Sequence, residues 1–317
     1  YEIRPRDWSS DVCSSDLGLM GALVLPAAAQ TFPNKPVRLI VGFVPGGGTD
    51  LAARYVAGAL SELWGNTVLV DNRAGAGGNV ATELTVRAAP DGYTVTLCTI
   101  AHAITPARMK LPFDSVRDFS FISMVGSMPN LLMAHPAQPF KNVGDVVAYA
   151  KANPGKLSFG TSGVGASPHL SMELMKSMTG ANIVHVPYKG AAPALVDLMA
   201  GHLPLLMTGF PSLGGNARSG RVKLIAVTTE KRLAAWPDIP TFDESGYPGY
   251  QTATYYGVLT RAGTPRPIIE RLNREINRVL QLPEVRERFE AQGLELRHGP
   301  PDRKSTRLNS SHVALSR

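Results

Sequence analysis

Short apolar runs alternate with longer amphipathic stretches along most of the chain. Strands joined by helices are typical of parallel sheets with helices on both faces, so the pattern predicts an α/β protein built from doubly wound units. The predicted strands are 37–43, 67–70, 93–99, 157–160, 183–186, 203–207 and 222–227. The predicted helices are 51–63, 79–88, 143–153, 168–179, 191–200, 265–281 and 283–292.

Two longer extended stretches interrupt this alternation. Residues 119–135 contain two strand-like runs, 121–125 and 130–134, on either side of Met128-Pro129, and residues 250–259 are also extended in pattern. We interpret both stretches as crossovers between two lobes, because the alternation of strands and helices restarts after the first one. The predicted division is 30–128 plus 251–301 for lobe I and 129–250 for lobe II.

The two ends of the chain lack this organisation. Residues 1–17 and 302–317 have no apolar period and no capping residues, and both resemble translated sequencing-adapter sequence, so we expect neither to be native. Residues 18–29 form a short apolar run that ends in three alanines, which is typical of the second half of a signal peptide. The run is too short to span a bilayer. We therefore predict a secreted, periplasmic protein of the Gram-negative type.

Composition and charge narrow the function classes. The chain has 317 residues, of which 44% are hydrophobic, enough for one large or two medium domains with a core. The net charge is +7, but basic residues form no run of five or more, so we expect no nucleic-acid partner. The histidines show no spacing typical of metal ligands, and we expect no metal.

Two glycine-rich turns each end a strand and begin a helix. The first is Pro45-Gly46-Gly47-Gly48-Thr49-Asp50, where Thr49 or Asp50 is expected to cap the helix. The second spans 161–167, with Ser167 as the expected cap and Pro168 in the first helical turn. Unpaired N–H groups and the helix dipole attract anions, so the turns predict a site for a carboxylate or phosphate between two lobes.

Nucleotide-binding and hydrolase interpretations fit these turns less well. Neither turn continues into the Gly-Lys-Ser/Thr of a P-loop, and Val80 stands where the motif that begins at Gly75 needs a last glycine for a dinucleotide. We therefore expect no cofactor. The segment 160–164 nearly matches a nucleophile elbow, but Val164 replaces its second glycine. A hydrolase of carboxylate esters that uses Ser162 or Ser167 is the alternative function.

Four polar residues near the predicted cleft have two interpretations each. Asp50 either holds the glycine turn or touches a ligand, and Arg73 either pairs with a carboxylate or is solvated. His169 either packs on the turn at the start of its helix or contacts a ligand. Tyr188 precedes a further helix, where it either is solvated or covers a flat ligand with its ring.

Several motifs, in order, resemble a single family. The chain resembles the Bug receptors, the extracytoplasmic solute receptors of the tripartite tricarboxylate transporter system, over roughly residues 20–301. The matching motifs are 43–50, 71–79, 90–93, 160–170, 185–190 and 236–241.

The resemblance implies a type II periplasmic binding protein fold, with two lobes joined by two crossover strands, and no catalysis. It implies that loop N–H groups, hydroxyls and bridging waters hold a small organic carboxylate, which is then delivered to membrane transporter subunits of the tripartite tricarboxylate type. We expect a monomer. The contacts carried over by motif are Phe43, Gly46, Gly47 and Thr49 in lobe I and Thr161, Ser162, Gly165, Ser167 and His169 in lobe II.

Thr208 departs from the pattern of this family. Family members commonly carry an aspartate at this position, and receptors for amino acids use an acid there against the ligand ammonium. Thr208 is neutral, and Pro204 replaces another frequent aspartate. We therefore predict a ligand without an ammonium group, such as a di- or tricarboxylate or an aromatic carboxylate.

Overall fold

Strands and helices alternate in the computed structural model, which describes residues 32–209, 214–297 and 299. The strands in this part of the chain are β1 (Val37–Val41), β2 (Val68–Asn72), β3 (Thr94–Thr99), β4 (Phe119–Ala134), β5 (Ser158–Thr161), β6 (Val184–Pro187), β7 (Leu205–Gly209), β8 (Lys223–Val227), β9 (Ala253–Arg261) and β10 (Glu295–Leu296). The helices are α1 (Gly48–Trp64), α2 (Asn79–Arg87), α3 (Ala101–Arg108), α4 (Val143–Ala152), α5 (Ser167–Thr179), α6 (Ala191–Met199), α7 (Gly214–Arg218), α8 (Arg266–Leu280) and α9 (Pro283–Ala291).

Strand β1 is an inner strand of the first sheet. It pairs in parallel with β2 on one side and with β3 on the other. β9 runs antiparallel to β3, and the first part of β4 runs antiparallel to β9. Leu39, Ile40 and Val41 of β1 are at most 2% exposed. A continuous apolar run thus becomes a strand that is buried on both faces, as is usual in parallel sheets.

The second sheet repeats this plan with other strands. β5 pairs in parallel with β6 and β7, while β7 and β8 both run antiparallel to the end of β4. Successive β4 side chains point to opposite faces, so Leu132 joins one buried cluster and Leu131 and Met133 join another. Both faces of this sheet are therefore covered, and each lobe has its own layers of helices around a sheet.

Strand β4 is continuous, which corrects the prediction of two separate runs at 121–125 and 130–134. Its residues up to Pro129 pair with β9, and its residues from Asn130 on pair with β7 and β8. The strand changes partners next to Pro129, where a missing N–H is tolerated. β4 and β9 are the two crossover strands of a type II periplasmic binding protein fold, as predicted.

Some predicted segments lie outside the described residues, namely the end segments 1–17 and 302–317 and the signal-peptide remnant at 18–29. The division into lobe I (30–128 plus 251–301) and lobe II (129–250) stays a prediction. In the part of the chain that the structure describes, no helix combines the length and apolarity that crossing a membrane requires.

Candidate ligand-binding site

The turn between β1 and α1 forms one side of a cleft between the lobes. Helix α1 begins at Gly48, its N-cap is Gly47, and no side chain caps it. The prediction that Thr49 or Asp50 caps α1 is wrong, because both residues lie inside the first helical turn. Without a side-chain acceptor, the first N–H groups of α1 are available to an anion.

Asp50 holds this turn from behind. Its buried carboxylate accepts hydrogen bonds from the N–H of Gly46 at 3.0 Å, from Nε of Arg54 at 2.9 Å and from Nδ2 of Asn72 at 2.8 Å. Nδ2 of Asn72 also donates to the carbonyl oxygen of Phe43 at 2.9 Å. Burial raises the pKa of Asp50, but the hydrogen bonds from Arg54, Gly46 and Asn72 outweigh it and hold the pKa below its ordinary value. These contacts support the structural interpretation of Asp50.

The turn between β5 and α5 forms the opposite side. Pro168 lies in the first turn of α5, as predicted, but the N-cap is Ala166 rather than Ser167. Oγ of Ser167 instead donates to the carbonyl oxygen of Ala253 at 2.9 Å and accepts from Nδ2 of Asn130 at 2.8 Å. The start of α5 is thereby attached to both crossover strands, and it also lacks a side-chain cap.

A third helix also begins at the cleft. Helix α6 starts at Ala191 after Gly190, again without a side-chain cap. Ala191 lies against Gly47, since a Cβ added at Gly47 would be 3.8 Å from the Cβ of Ala191. The first turns of α1, α5 and α6 therefore meet at one cleft, and their dipoles make it favourable for negative charge.

The cleft measures about 440 Å³, counted to its open mouth. No Asp, Glu, Lys, Arg or His is among the described residues that line it, whereas seven of them carry hydroxyl groups. The lining consists of Phe43, Gly47, Gly48, Thr49, Thr99, Ser162, Ala166, Ser167, Pro168, Ala191, Thr208, Gly209, Thr254 and Tyr256.

Crossover strand β9 supplies two of these hydroxyl groups. Oγ1 of Thr254 donates to Oδ1 of Asn130 at 3.0 Å. Burial raises the pKa of Tyr256, and a hydrogen bond with Thr49 only partly offsets this effect, so the phenol stays protonated. A neutral phenol can donate to a carboxylate without a charge of its own, whereas the Thr254 hydroxyl already donates to Asn130.

The two lobes touch on either side of the cleft. On one side, the N–H of Val44 donates to the carbonyl oxygen of Lys189 at 3.3 Å. On the other, Gly77 lies so close to lobe II that an added Cβ would be 2.6 Å from the carbonyl oxygen of Val164. This approach depends on glycine, because any side chain at Gly77 would meet backbone atoms.

The structure brings six of the thirteen predicted site residues together at the cleft: Phe43, Gly47, Thr49, Ser162, Ser167 and Thr208. The other seven do not line it: Gly46, Asp50, Arg73, Thr161, Gly165, His169 and Tyr188. Of these, Arg73 is 53% exposed at its side chain and pairs with Asp71, with 2.9 Å between Nε and Oδ1. The hydroxyl of Tyr188 donates to Oδ2 of Asp197 at 2.5 Å, and burial together with Asp197 raises the pKa of Tyr188 to about 12.

Eight lining residues were not predicted: Gly48, Thr99, Ala166, Pro168, Ala191, Gly209, Thr254 and Tyr256. Ala191 had a usable signal, because the turn that ends at Gly190 repeats the strand, glycine turn and helix order of the first two turns. Thr254 and Tyr256 alternate along a crossover strand, and only the folded arrangement shows which face of that strand meets the cleft.

The hydrolase alternative needs a serine nucleophile that is hydrogen-bonded to a histidine base. Among the hydrogen bonds of the described residues, none joins Ser162 or Ser167 to a histidine. Nδ1 of His169 accepts from the N–H of Gly165 at 3.1 Å and is therefore already engaged. A serine nucleophile needs a base within hydrogen-bond reach, so the site is arranged for binding rather than for acyl transfer.

Comparison with known proteins identifies the family of this chain. Residues 52–312 match the family described as "Tripartite tricarboxylate transporter family receptor", TctC. BugT of Bordetella pertussis is 36% identical over 277 residues, which is 86% of this chain and 84% of BugT.

Two solved structures share the fold over nearly all of their length. Rpa4515 of R. palustris with adipate is 35% identical, with a TM-score of 0.84 over 89% of this chain and 95% of that chain. MatC (Rpa3494) from Rhodopseudomonas palustris with bound malate is 29% identical, with a TM-score of 0.79 over 90% of this chain and 95% of that chain. The present chain therefore belongs to the TctC family of tripartite tricarboxylate transporter receptors, which are solute-binding proteins and not enzymes.

Proposed function

We propose that this protein captures a small organic carboxylate without an ammonium group in the cleft between its lobes. It acts as a monomer in the periplasm and delivers the ligand to membrane transporter subunits of the tripartite tricarboxylate type. The observation that carries the proposal is the convergence of three helix N-termini without side-chain caps on a cleft whose described lining residues include none with a charge.

The helix termini favour an anion. Each N-terminus carries about half a positive charge and stabilises a nearby anion by about 0.3–1 kcal/mol, or up to about 2 kcal/mol where the site is partly buried. Three termini and several hydroxyl donors replace the arginine or lysine that many carboxylate sites use. In this proposal the ligand is contacted by Phe43, Gly47, Thr49, Ser162, Ser167 and Thr208, while Gly46, Asp50, Thr161, Gly165 and His169 support the two turns.

The same lining disfavours an ammonium group. Asp50 holds the α1 turn, and its oxygens are engaged by Gly46, Arg54 and Asn72. An ammonium in the cleft would lose its water without gaining a charged partner, and such desolvation is costly. Adipate and malate, with which the two related structures were solved, are carboxylates of the ammonium-free kind.

Ligand binding and its chemical preference can be measured together. We expect malate, adipate or an aromatic carboxylate such as benzoate to raise the melting temperature, because a ligand at about 100 times its Kd adds about 2.7 kcal/mol to the free energy of unfolding. Calorimetry then ranks these acids against aspartate and glutamate. Tighter binding of either amino acid than of every ammonium-free acid would contradict the proposal, as would no stabilisation by any carboxylate.

A substitution at Gly47 tests the location of the site. Gly47→Asp places a good N-cap on α1 but adds a negative charge at the cleft, so we expect normal folding and at least about tenfold weaker carboxylate binding, or about 1.4 kcal/mol. Gly58→Asp is the matched control, since Gly58 lies in the same helix with nothing within 4 Å of an added Cβ. Equal binding by the two variants would place the ligand elsewhere.

A further inference from the structure

Two stacked histidines lie behind the turn between β5 and α5, residues 161–167, which is called the lobe II turn below. His169 in the first turn of α5 and His185 in β6 have ring centroids 4.1 Å apart, with planes inclined by 26°. Neither residue is part of the cleft lining. The two rings therefore stack for a reason other than direct contact with a ligand.

Each histidine binds one end of the turn. Nδ1 of His169 accepts from the N–H of Gly165 at 3.1 Å. Nε2 of His185 lies 2.7 Å from Oγ1 of Thr161. The cleft-lining residues Ser162 and Ala166 lie between or beside these two attachment points, so the histidines determine the shape of the turn that carries them.

The bond to Gly165 requires one protonation state of His169. A backbone N–H only donates, so Nδ1 must be the unprotonated nitrogen of a neutral ring. A proton added at Nδ1 would face the N–H of Gly165 and break this hydrogen bond. It would also place a positive charge beside a second imidazole at stacking distance.

We propose that His169 and His185 form an acid-sensitive clamp, which holds the lobe II turn in its ligand-binding shape while both rings are neutral and releases it when His169 is protonated. The clamp rests on the proposed function, because the turn is taken to be one side of the carboxylate site. His169 and His185 are positioning residues in this account, since they act on the ligand through Gly165 and Thr161.

The charged groups around the pair favour the neutral state overall. Burial lowers the pKa of His169, and so do Arg108 and Lys176, while Glu173 opposes them from 3.7 Å. Burial, and next the neighbouring His169, lowers the pKa of His185 to about 4, with smaller contributions from Lys176 and Arg108 against Glu173. The larger shift at His185 makes His169 the first of the two to take up a proton.

Arg108 links the clamp to the contact between the lobes. It lies at the end of α3 in lobe I, and a Cβ added at Gly165 in lobe II would collide with its guanidinium. Its repulsion of a charged His169 acts only while the lobes are in contact. A proton on His169 therefore disfavours the closed arrangement, and ligand affinity falls with it.

The pH profile of ligand affinity tests the clamp. Malate binding is measured by calorimetry from about pH 7.5 to about pH 5 for the wild type and for His169→Asn, whose Oδ1 can accept from Gly165 without titrating. Malate ionises in this range as well, so the ratio of the two dissociation constants is compared at each pH. We expect malate binding by the wild type to weaken several-fold relative to the variant at acid pH. The largest loss at about pH 5 is about 30-fold, which is the value for a histidine whose pKa is unshifted.

Two further variants complete the design. His202→Asn removes a histidine whose side chain is 73% exposed, and it should keep the wild-type profile. Arg108→Gln removes the lobe I charge that repels a protonated His169 in the closed arrangement, so the loss of affinity at acid pH should be smaller than in the wild type. A ratio that stays flat for His169→Asn, or an unmoved profile for Arg108→Gln, would overturn the clamp.

A readout without ligand separates this inference from the proposed function. Nitrogen-detected NMR of the histidine rings reports which nitrogen of His169 carries the proton and follows the Gly165 amide during acid titration. The clamp requires a proton on Nε2 at neutral pH and a Gly165 shift that tracks His169. If no carboxylate binds but these signals appear, the proposed function fails and the clamp stands. A proton on Nδ1 at neutral pH would refute the clamp whatever binds.

Discussion

Asp50 shows how a single buried carboxylate fixes the shape of the α1 turn. It is 2% exposed and has three hydrogen-bond donors, from Gly46, Arg54 and Asn72. We expect Asp50→Asn to lower the free energy of unfolding by about 2–4 kcal/mol, because its new amide group would face donors in a buried site. Urea unfolding at neutral pH measures this loss, and Glu62→Gln on the exposed side of α1 should change stability by less than about 0.5 kcal/mol.

The pKa of Asp50 predicts how this loss of stability depends on pH. Because the folded-state pKa lies below the ordinary value of 3.8, the contribution of Asp50 to stability is present above the unfolded pKa and is lost as pH falls through the folded pKa. The difference between wild type and Asp50→Asn should therefore be constant near neutral pH and shrink only below about pH 4. A difference that shrinks already between pH 7 and 5 would contradict this account.

At the residue scale, the sequence predicted the glycine turns but not their caps. Ser, Thr and Asp are preferred caps in general, yet here they face other partners. Ser167 binds Asn130 and Ala253, which are far away along the chain. No local pattern reveals such a partner, so cap identity and the position of His169 behind the turn needed the folded structure.

At the element scale, most strands and helices were predictable because their burial follows the expected periods. The predicted helix 143–153 matches α4, and the predicted strand 157–160 is offset by one residue from β5. Helix α3 was missed because Pro106 interrupts its pattern. The continuity of β4 was missed because Met128-Pro129 is typical of a break, whereas the pairing of Pro129 with Ala253 carries the strand through.

Asn130 joins three elements at the centre of the molecule. It lies fully buried in β4, its Nδ2 donates to Ser167 and Ser171 of α5, and its Oδ1 accepts from Thr254 of β9. We expect Asn130→Ala to lower the free energy of unfolding by about 2–4 kcal/mol, because three buried hydroxyls lose a partner.

A double-mutant cycle shows whether Asn130 acts through α5. Denaturant unfolding of Asn130→Ala, Ser167→Ala and the double variant should give a coupling energy of about 0.5–3 kcal/mol. Ser219 lies away from this network, so the change in the free energy of unfolding caused by Ser219→Ala should simply add to that of Asn130→Ala. If the losses of stability in Asn130→Ala and Ser167→Ala were also strictly additive, Asn130 would support the fold without connecting α5 to the crossover strands.

At the scale of the whole molecule, the two-lobe arrangement followed from the two extended stretches, but the contacts between the lobes did not. They join residues that are distant in the chain, such as Val44 with Lys189 and Gly77 with Val164. The motif 71–79 is therefore more than a loop at the cleft edge, because its Gly77 forms part of the surface on which the lobes meet.

Gly77 should control closure without touching the ligand. It has φ +64°, and a Cβ there would be 2.6 Å from the carbonyl oxygen of Val164 in the other lobe. Gly65 is a matched control, because it has φ +60° and nothing within 4 Å of an added Cβ. Both Gly→Ala variants place alanine at positive φ and should lose about 1 kcal/mol of stability. Only Gly77→Ala should also keep the lobes apart. Small-angle scattering at saturating malate should then show a larger radius of gyration for this variant. Its binding should weaken by about tenfold or more, because the apparent affinity is proportional to the fraction of the protein that can close. Equal scattering and equal affinity for the two variants would mean that closure does not depend on this contact.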